Sequence, residues 1–103
     1  MRIAEFQRLI EDTYGAKDEE RGMEGTFLWF VEEVGELARA MKGSDTENLR
    51  EEFADVFAWL ATLASICNVE LGDVVEKYAR GCPKCNDTPC ICDEPHRFRS
   101  AEP

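Results

Sequence analysis

Two acidic pairs at mirrored positions around one short turn constrain the fold of this chain more than any other feature. The first pair is Glu33 and Glu36, the second is Glu52 and Asp55, and the turn at 43–45 separates them. Each pair is spaced i, i+3, so on antiparallel helices the four carboxylates would converge across one seam. Like charges held this close require a cation, and hard oxygen ligands suit Mg²⁺ or Mn²⁺.

Apolar residues recur at helical spacing through most of the chain, and this periodicity predicts an all-α fold of about four helices. The turn makes the two longest helices an antiparallel hairpin. We expect a helix over 3–14 ending at Gly15, a charged loop over 16–25, and further helices over about 26–42, 46–68 and 71–80. Thr26 is a plausible N-cap of the first long helix, and Ser44 or Asp45 of the second.

The composition is that of one small globular domain. The chain has 103 residues, of which 44% are hydrophobic and 33% charged. Neither an apolar run of about 18 residues nor a signal-peptide core is visible, so we expect a cytoplasmic protein without membrane contact. A net charge of −10 argues against duplex nucleic acid as a partner. The apolar stripes are wide, which predicts assembly into a homo-oligomeric helical bundle.

A helical wheel separates candidate ligands from solvated neighbours. Glu33 and Glu52 fall beside the apolar stripes, whereas Glu32 and Glu51 point outward. Two tryptophans, at positions 29 and 59, obey the same mirror relation as the acids. They would lie on the acidic face, either stacking on a nucleobase or packing in the core. An ordinary solvated acidic face is the alternative for the carboxylates themselves.

The segments Glu32-Glu33-Val34-Gly35-Glu36-Leu37 and Glu52-Phe53-Ala54-Asp55-Val56 resemble the EExxE…ExxD signature of the MazG-like nucleotide pyrophosphohydrolases. The resemblance extends over about residues 3 to 80. It implies a homodimer or homotetramer that hydrolyses a nucleoside triphosphate to the monophosphate and pyrophosphate with Mg²⁺.

The resemblance also implies roles for individual residues. The Mg²⁺ ligands would be Glu33, Glu36, Glu52 and Asp55, and Glu32 or Glu33 would orient the attacking water. Lys77 is similar to a family lysine near the phosphates. The position of Trp29 and Trp59 beside the acids, rather than the resemblance, makes them the expected substrate-binding aromatics. Two alternatives stay open: a phosphoribosyl-ATP pyrophosphohydrolase, or a non-catalytic helical interaction module stabilised by zinc.

The C-terminal segment has its own metal signature. Its spacing is C-x₂-C-x₄-C-x-C, formed by Cys82, Cys85, Cys90 and Cys92. Four thiolates this close fit a structural Cys₄ zinc site, with two disulfides or an iron–sulfur cluster as alternatives. Cys67 falls on an apolar stripe and is expected to be a buried, inert thiol.

We therefore expect three regions: a helical domain at 1–80, a Cys₄ zinc-binding tail at 81–93, and a flexible terminus at 94–103. His96 is the only histidine and belongs to that terminus. Arg97 and Arg99, beside it, concentrate positive charge and could dock on acidic groups of a neighbouring subunit or on a substrate phosphate.

Overall fold

The structure, a computed structural model, describes residues 1–93, and within them it is all-α with no strand. The elements are α1 (Ile3–Lys42), α2 (Thr46–Ile66), α3 (Leu71–Val74) and a 3₁₀ helix (Val75–Tyr78). Most tertiary contacts join α1 to α2. The predicted all-α class and the antiparallel hairpin are therefore confirmed.

The predicted loop over 16–25 is wrong, because this segment is helical. α1 runs from Ile3 to Lys42 and is interrupted only at Gly22, whose backbone angles are φ 82° and ψ 173°. That conformation is essentially restricted to glycine. Gly22 therefore divides α1 into a first arm, residues 3–21, and a second arm, residues 23–42. Gly15 does not end a helix but lies inside the first arm.

The hairpin turn follows the sequence prediction more closely. α1 ends at Lys42, and the Gly43 N–H donates to the Ala40 carbonyl. The Asp45 carboxylate accepts a hydrogen bond of 3.1 Å from the Asn48 N–H, so Asp45 is the N-cap of α2. Thr26, by contrast, is not an N-cap, since it is fully buried inside α1.

The C-terminal helices are shorter than predicted. α2 ends at Ile66 rather than Asn68, because Asn68 adopts a positive φ of 59°. The expected helix over 71–80 contains only four α-helical residues and then tightens into the 3₁₀ helix. Four regular α-helices are therefore not present in residues 1–93.

A buried glutamine fastens the start of α1 to the end of α2. The Gln7 amide nitrogen donates to Ser65 Oγ at 3.1 Å and to the Val69 carbonyl at 2.9 Å. Its carbonyl oxygen accepts from the Leu71 N–H at 2.8 Å. These partners lie between the last turn of α2 and the first residue of α3, so one side chain fixes where the first arm begins.

The hydrophobic interior of the single chain is small. Within residues 1–93 the buried apolar residues are Ala40, Ala61 and Ala64. Large apolar side chains of both long helices remain exposed, among them Phe27, Val31, Val34, Met41, Phe53, Phe57 and Leu60. The Cα radius of gyration is 16.6 Å, against about 13 Å for a compact domain of this length. The hairpin therefore does not close around its own apolar surface.

Two further expectations concern Cys67, at the end of α2, and the C-terminal residues. Cys67, predicted to be buried, is exposed at the C-cap of α2, and its Sγ lies 3.8 Å from Met23 Sδ. The predicted flexible terminus at 94–103, with His96, Arg97 and Arg99, lies outside the described residues.

Within the described part, no single helix is long and apolar enough to span a membrane. Only α2 and Leu71–Tyr78 taken together meet the required length and apolarity, and they are separated by a bend of 101°.

Candidate functional site

Three carboxylates meet where the second arm of α1 crosses α2. Oxygen atoms of Glu33, Glu52 and Asp55 all lie within 4.8 Å of one another. Glu33 belongs to the stripe of α1 that faces α2, where its helical neighbours Phe30 and Leu37 are also half-buried. An acidic residue in an otherwise apolar seam loses hydration without gaining a positive partner.

The electrostatics of this acid cluster follow from its position. Burial raises the pKa of Glu33 above its usual value, and the charges of Asp55, Glu36 and Glu32 raise it further. The pKa of Glu52 is also raised, by desolvation and then by the charges of Glu33 and Asp55. Within residues 1–93 no Lys or Arg forms a salt bridge with Glu33, Glu52 or Asp55. The cluster therefore has the donor set and the unbalanced charge of a divalent cation site.

The fourth predicted ligand stands slightly apart. Glu36 is close enough to raise the pKa of Glu33 and Glu52, but it is not part of the three-residue group. It forms an exposed salt bridge of 3.9 Å with Arg39 instead. Glu32 and Glu51 are exposed, as the helical wheel predicts.

The mirrored tryptophans do meet across the seam. The rings of Trp29 and Trp59 are stacked, with centroids 6.1 Å apart and planes inclined by 11°. The guanidinium carbon of Arg21 lies 4.9 Å from the centre of the Trp59 ring. Trp29 keeps 48% of its surface exposed, so it offers more free ring area than its partner, which is half-buried.

A buried polar network beside the tryptophans was missed by the sequence prediction. Asp18 Oδ1 accepts from Arg21 Nη1 at 2.9 Å, and Asp18 Oδ2 accepts from Thr62 Oγ1 at 3.1 Å. Arg21 Nη1 also donates to Thr26 Oγ1 at 3.2 Å. These hydrogen bonds join both arms of α1 to α2 across the break at Gly22. The Asp18–Arg21 spacing of three residues was the available signal, but it lay in a segment predicted to be a loop.

Lys77 is not brought to the acid cluster by any contact of the described residues. It is exposed in the 3₁₀ helix, and its ammonium lies 5.8 Å from the centre of the Tyr78 ring. The suggested phosphate-binding role of Lys77 therefore stays a prediction.

The four cysteines of the tail form a compact group. Their Sγ atoms lie within 4.8 Å of one another, with 3.9 Å between Cys82 and Cys92 and 4.0 Å between Cys85 and Cys90. Tetrahedral zinc with Zn–S bonds of about 2.3 Å places its sulfurs about 3.8 Å apart. All four are free thiols, so the arrangement fits a tetrahedral metal.

Backbone hydrogen bonds in this loop stabilise a negative charge on one of the four cysteines, which favours binding of a cation. Backbone N–H groups of Cys85 and Lys84 donate to the Cys82 sulfur and lower the pKa of Cys82 to about 6. Hydrogen bonds with the Cys90 and then the Cys85 side chain contribute most to raising the pKa of Cys92 to about 12. Gly81, at φ 95°, allows the turn, since a Cβ there would overlap Thr88 Oγ1. The chain thus favours a thiolate at Cys82 without any metal.

Comparison with known proteins places these features in a family. The sequence profile of the MazG nucleotide pyrophosphohydrolase domain matches residues 21–86, well over half of the chain. The matched region contains the acid cluster, both tryptophans and the first two cysteines of the tail. The comparison with curated proteins gives no match. The chain belongs to the MazG nucleotide pyrophosphohydrolase domain family.

Proposed function

We propose that this protein hydrolyses a nucleoside triphosphate to the nucleoside monophosphate and pyrophosphate, using Mg²⁺ or Mn²⁺. The observation that carries the proposal is the convergence of Glu33, Glu52 and Asp55 without a cationic partner in residues 1–93. Membership of the family supports a nucleotide pyrophosphohydrolase in general. The chain's own charge of −10 opposes that of a triphosphate, so binding requires divalent cations.

The residues that would hold the metal are Glu33, Glu52 and Asp55, with Glu36 completing the set after leaving Arg39. A bound divalent cation would neutralise phosphate oxygens and acidify water in the site. Glu36 would need only to give up an exposed ion pair, which contributes about 0–1 kcal/mol.

The protein groups would carry out the proton transfer and the positioning. Either Glu32 or Glu33 would accept the proton, since Glu33 lies in the cluster and the charge of the exposed Glu32 acts on it. Water would attack the α-phosphorus, its proton would pass to one of these two carboxylates, and the α–β phosphoanhydride bond would break as pyrophosphate leaves. The exposed ring of Trp29 would stack on the nucleobase.

Release of pyrophosphate from a panel of nucleotides, with and without Mg²⁺, tests this function. The panel contains ribo- and deoxyribonucleoside triphosphates and phosphoribosyl-ATP. We expect Mg²⁺-dependent release from at least one triphosphate. Release from phosphoribosyl-ATP alone would assign the chain to that rival reaction. No release from any compound by a folded, metal-loaded protein would favour a non-catalytic module.

We also propose that the cysteine group holds one structural zinc ion per chain. The sulfur separations and the thiolate preference of Cys82 support this assignment. Four protein ligands leave no open position for substrate, so the zinc would order the tail rather than catalyse. Elemental analysis of the purified protein should give about one zinc per chain. Iron with bound sulfide, or disulfides without metal, would contradict the proposal.

The exposed apolar stripe supports a third part of the proposal, assembly of the hairpins into a homodimer or homotetramer. Phe27, Val31 and Val34 on α1 are exposed, as is Phe53 on α2. A chain whose buried apolar residues within 1–93 are three alanines needs further apolar contacts to be stable. A second copy of the hairpin supplies a matching apolar surface.

A further inference from the structure

The cysteine group of the tail lies at the protein surface, where a small oxidant can reach it. Cys90 and Cys92 are exposed, and Cys82 and Cys85 are half-buried. With Cys67 they make up all five cysteines of the chain. A surface thiolate with a second thiol beside it is oxidised to a disulfide by way of a sulfenic acid. The group therefore has the exposure and the neighbours for chemistry other than metal binding.

Two thiol–thiol contacts include each of the four cysteines once. Cys82 Sγ lies 3.9 Å from Cys92 Sγ. Cys85 Sγ lies 4.0 Å from Cys90 Sγ. A disulfide bond is about 2.05 Å long, so the sulfurs of each pair have to approach by about 1.9 Å, which side-chain rotation can supply. The contacts thus define one complete, nested pairing of the group.

Backbone hydrogen bonds fold the loop that carries these cysteines without help from a metal. The Cys82 carbonyl accepts from the Asn86 N–H at 2.6 Å, and the Cys82 N–H donates to the Asp87 carbonyl at 3.1 Å. At the other end of the loop, the Cys92 N–H donates to Cys90 Sγ at 3.3 Å. Departure of a bound ion would leave these bonds in place, so the sulfurs would stay close enough to pair.

We propose that the cysteine group is a redox modification site, at which a hydroperoxide converts a zinc tetrathiolate into two disulfides and zinc is released. The disulfides join Cys82 to Cys92 and Cys85 to Cys90. The inference rests on the proposed structural zinc and adds a second state of the same residues. Zinc and disulfides, which are alternatives in the sequence, become successive states of one site. Both states cross-link the tail, so the exchange leaves the helices folded.

The reaction balances with two molecules of hydrogen peroxide per chain. A thiolate attacks one peroxide oxygen, the O–O bond breaks, hydroxide leaves and a sulfenic acid remains on the sulfur. The paired thiolate attacks that sulfur, an S–S bond forms and a second hydroxide leaves. Sulfur is oxidised and peroxide oxygen is reduced. The same steps at the second pair remove the last two thiolate ligands, and Zn²⁺ passes into solution.

Cys67 provides a comparison within the same chain. It is also exposed, but the contact of its Sγ is with Met23 Sδ at 3.8 Å rather than with a second thiol. Within residues 1–93 it belongs to no group of potential metal ligands. A sulfenic acid on Cys67 has no adjacent thiol to condense with, so oxidation there should add oxygen and form no disulfide within the chain.

Treatment of the zinc-loaded protein with hydrogen peroxide tests the site. Zinc, detected with a coloured chelator, should appear in solution as the four tail thiols disappear. Peptide mass mapping, with fragmentation at Ile91, should identify the two named disulfides. Dithiothreitol followed by Zn²⁺ should restore the thiols and about one bound zinc per chain. Cys67→Ser is the matched control: it should release zinc on the same time course, and its mass should fall by four hydrogens.

Other outcomes would overturn the inference. One is zinc release with sulfinic or sulfonic acids in place of disulfides, and another is retention of zinc while Cys67 is oxidised. Links of Cys82 to Cys90 and of Cys85 to Cys92 would overturn the pairing. Protein that is purified as metal-free thiols and then forms the two named disulfides would refute the zinc ion but leave the redox site standing. Pyrophosphate release is not measured, so failure of the proposed hydrolysis is recognised separately.

Discussion

Glu33 is a carboxylic acid at a position where a helical hairpin ordinarily places an apolar side chain. Its neighbours on the buried stripe of α1 are Phe30 and Leu37, and across the seam it meets Glu52 and Asp55. A residue in this place costs free energy in the metal-free protein. The proposed divalent cation would offset this cost.

Amide substitution should separate the acids of the site from their exposed neighbours. We expect Glu33→Gln and Asp55→Asn each to lower kcat/KM at least a hundredfold, which corresponds to about 2.7 kcal/mol of transition-state stabilisation. Glu51→Gln, on the exposed face, should change kcat/KM less than threefold. The measurement is the initial rate of pyrophosphate release with Mg²⁺. A loss by Glu51→Gln as large as that by Asp55→Asn would show that the carboxylate assignment is wrong.

The raised pKa values predict how stability changes with pH. Glu33 and Glu52 bind a proton more tightly in the folded chain than in the unfolded chain, where the carboxyl pKa is near 4.5. Their contribution to the free energy of unfolding therefore decreases as pH rises from about that value through their raised values. In protein freed of Mg²⁺, the Glu33→Gln/Glu52→Gln variant should gain melting temperature over wild type as pH rises towards neutrality.

Melting curves of both proteins between mildly acidic and neutral pH provide the measurement. Mg²⁺ at millimolar concentration should raise the melting temperature of the wild type but not that of the double variant, because the metal binds the folded site. An unchanged difference between the two proteins at every pH would contradict the predicted repulsion.

The acid pairs could be predicted from the sequence because two helices and one turn fix their register. The role of Arg21 could not, since its partners Asp18, Thr26 and Thr62 meet only through tertiary packing. The separation of Glu36 from the other three acids could not be predicted from the sequence either. It depends on a rotamer that brings the carboxylate of Glu36 to Arg39.

At the scale of elements, the break at Gly22 determines the architecture. The sequence pattern predicts that the first helix ends at Gly15, because glycine commonly follows a helix C-terminus. Both Gly15 and Gly22 are compatible with that rule. Only the tertiary contacts of the first arm, including Gln7 with the end of α2, select Gly22 as the point where the direction changes.

Two glycine-to-alanine substitutions should have opposite effects on stability. Gly22→Ala should reduce the free energy of unfolding by about 1–3 kcal/mol, because alanine is strained at φ 82° and ψ 173°. Gly15→Ala should increase it by about 0.5–1 kcal/mol, since Gly15 lies inside a helix and a Cβ there makes an ordinary 3.8 Å contact with Glu11. Urea denaturation measures both. Destabilisation by Gly15→Ala would instead support the sequence prediction that the first helix ends at Gly15.

At the scale of the whole molecule, the hairpin leaves much of its apolar surface exposed. The sequence predicted this property, because the apolar stripes are too wide for one partner helix. It could not predict how little is buried, since the identity of the buried residues depends on which face of α1 meets α2. That face carries Thr26, Glu33 and Ala40, while the larger Val31 and Val34 lie on the exposed side.

A charge in the exposed stripe should prevent assembly. We expect wild-type protein to elute as a dimer or tetramer in size-exclusion chromatography with light scattering. Val31→Lys should shift it towards the monomer and lower the melting temperature, because a lysine in a closed apolar interface is costly. Ser44→Lys adds the same charge in the exposed turn and should leave the mass unchanged. A wild-type monomer at micromolar concentration would refute the proposed assembly.

The small apolar interior, which within residues 1–93 consists of three alanines, also has a consequence for dosage. A chain that gains its stability by meeting a second copy has a folded fraction that rises with its own concentration. Specific activity would then fall on dilution, and halving expression would remove more than half of the activity. A cell that makes few copies would hold almost no working enzyme, so the amount synthesised would itself act as a threshold for nucleotide hydrolysis.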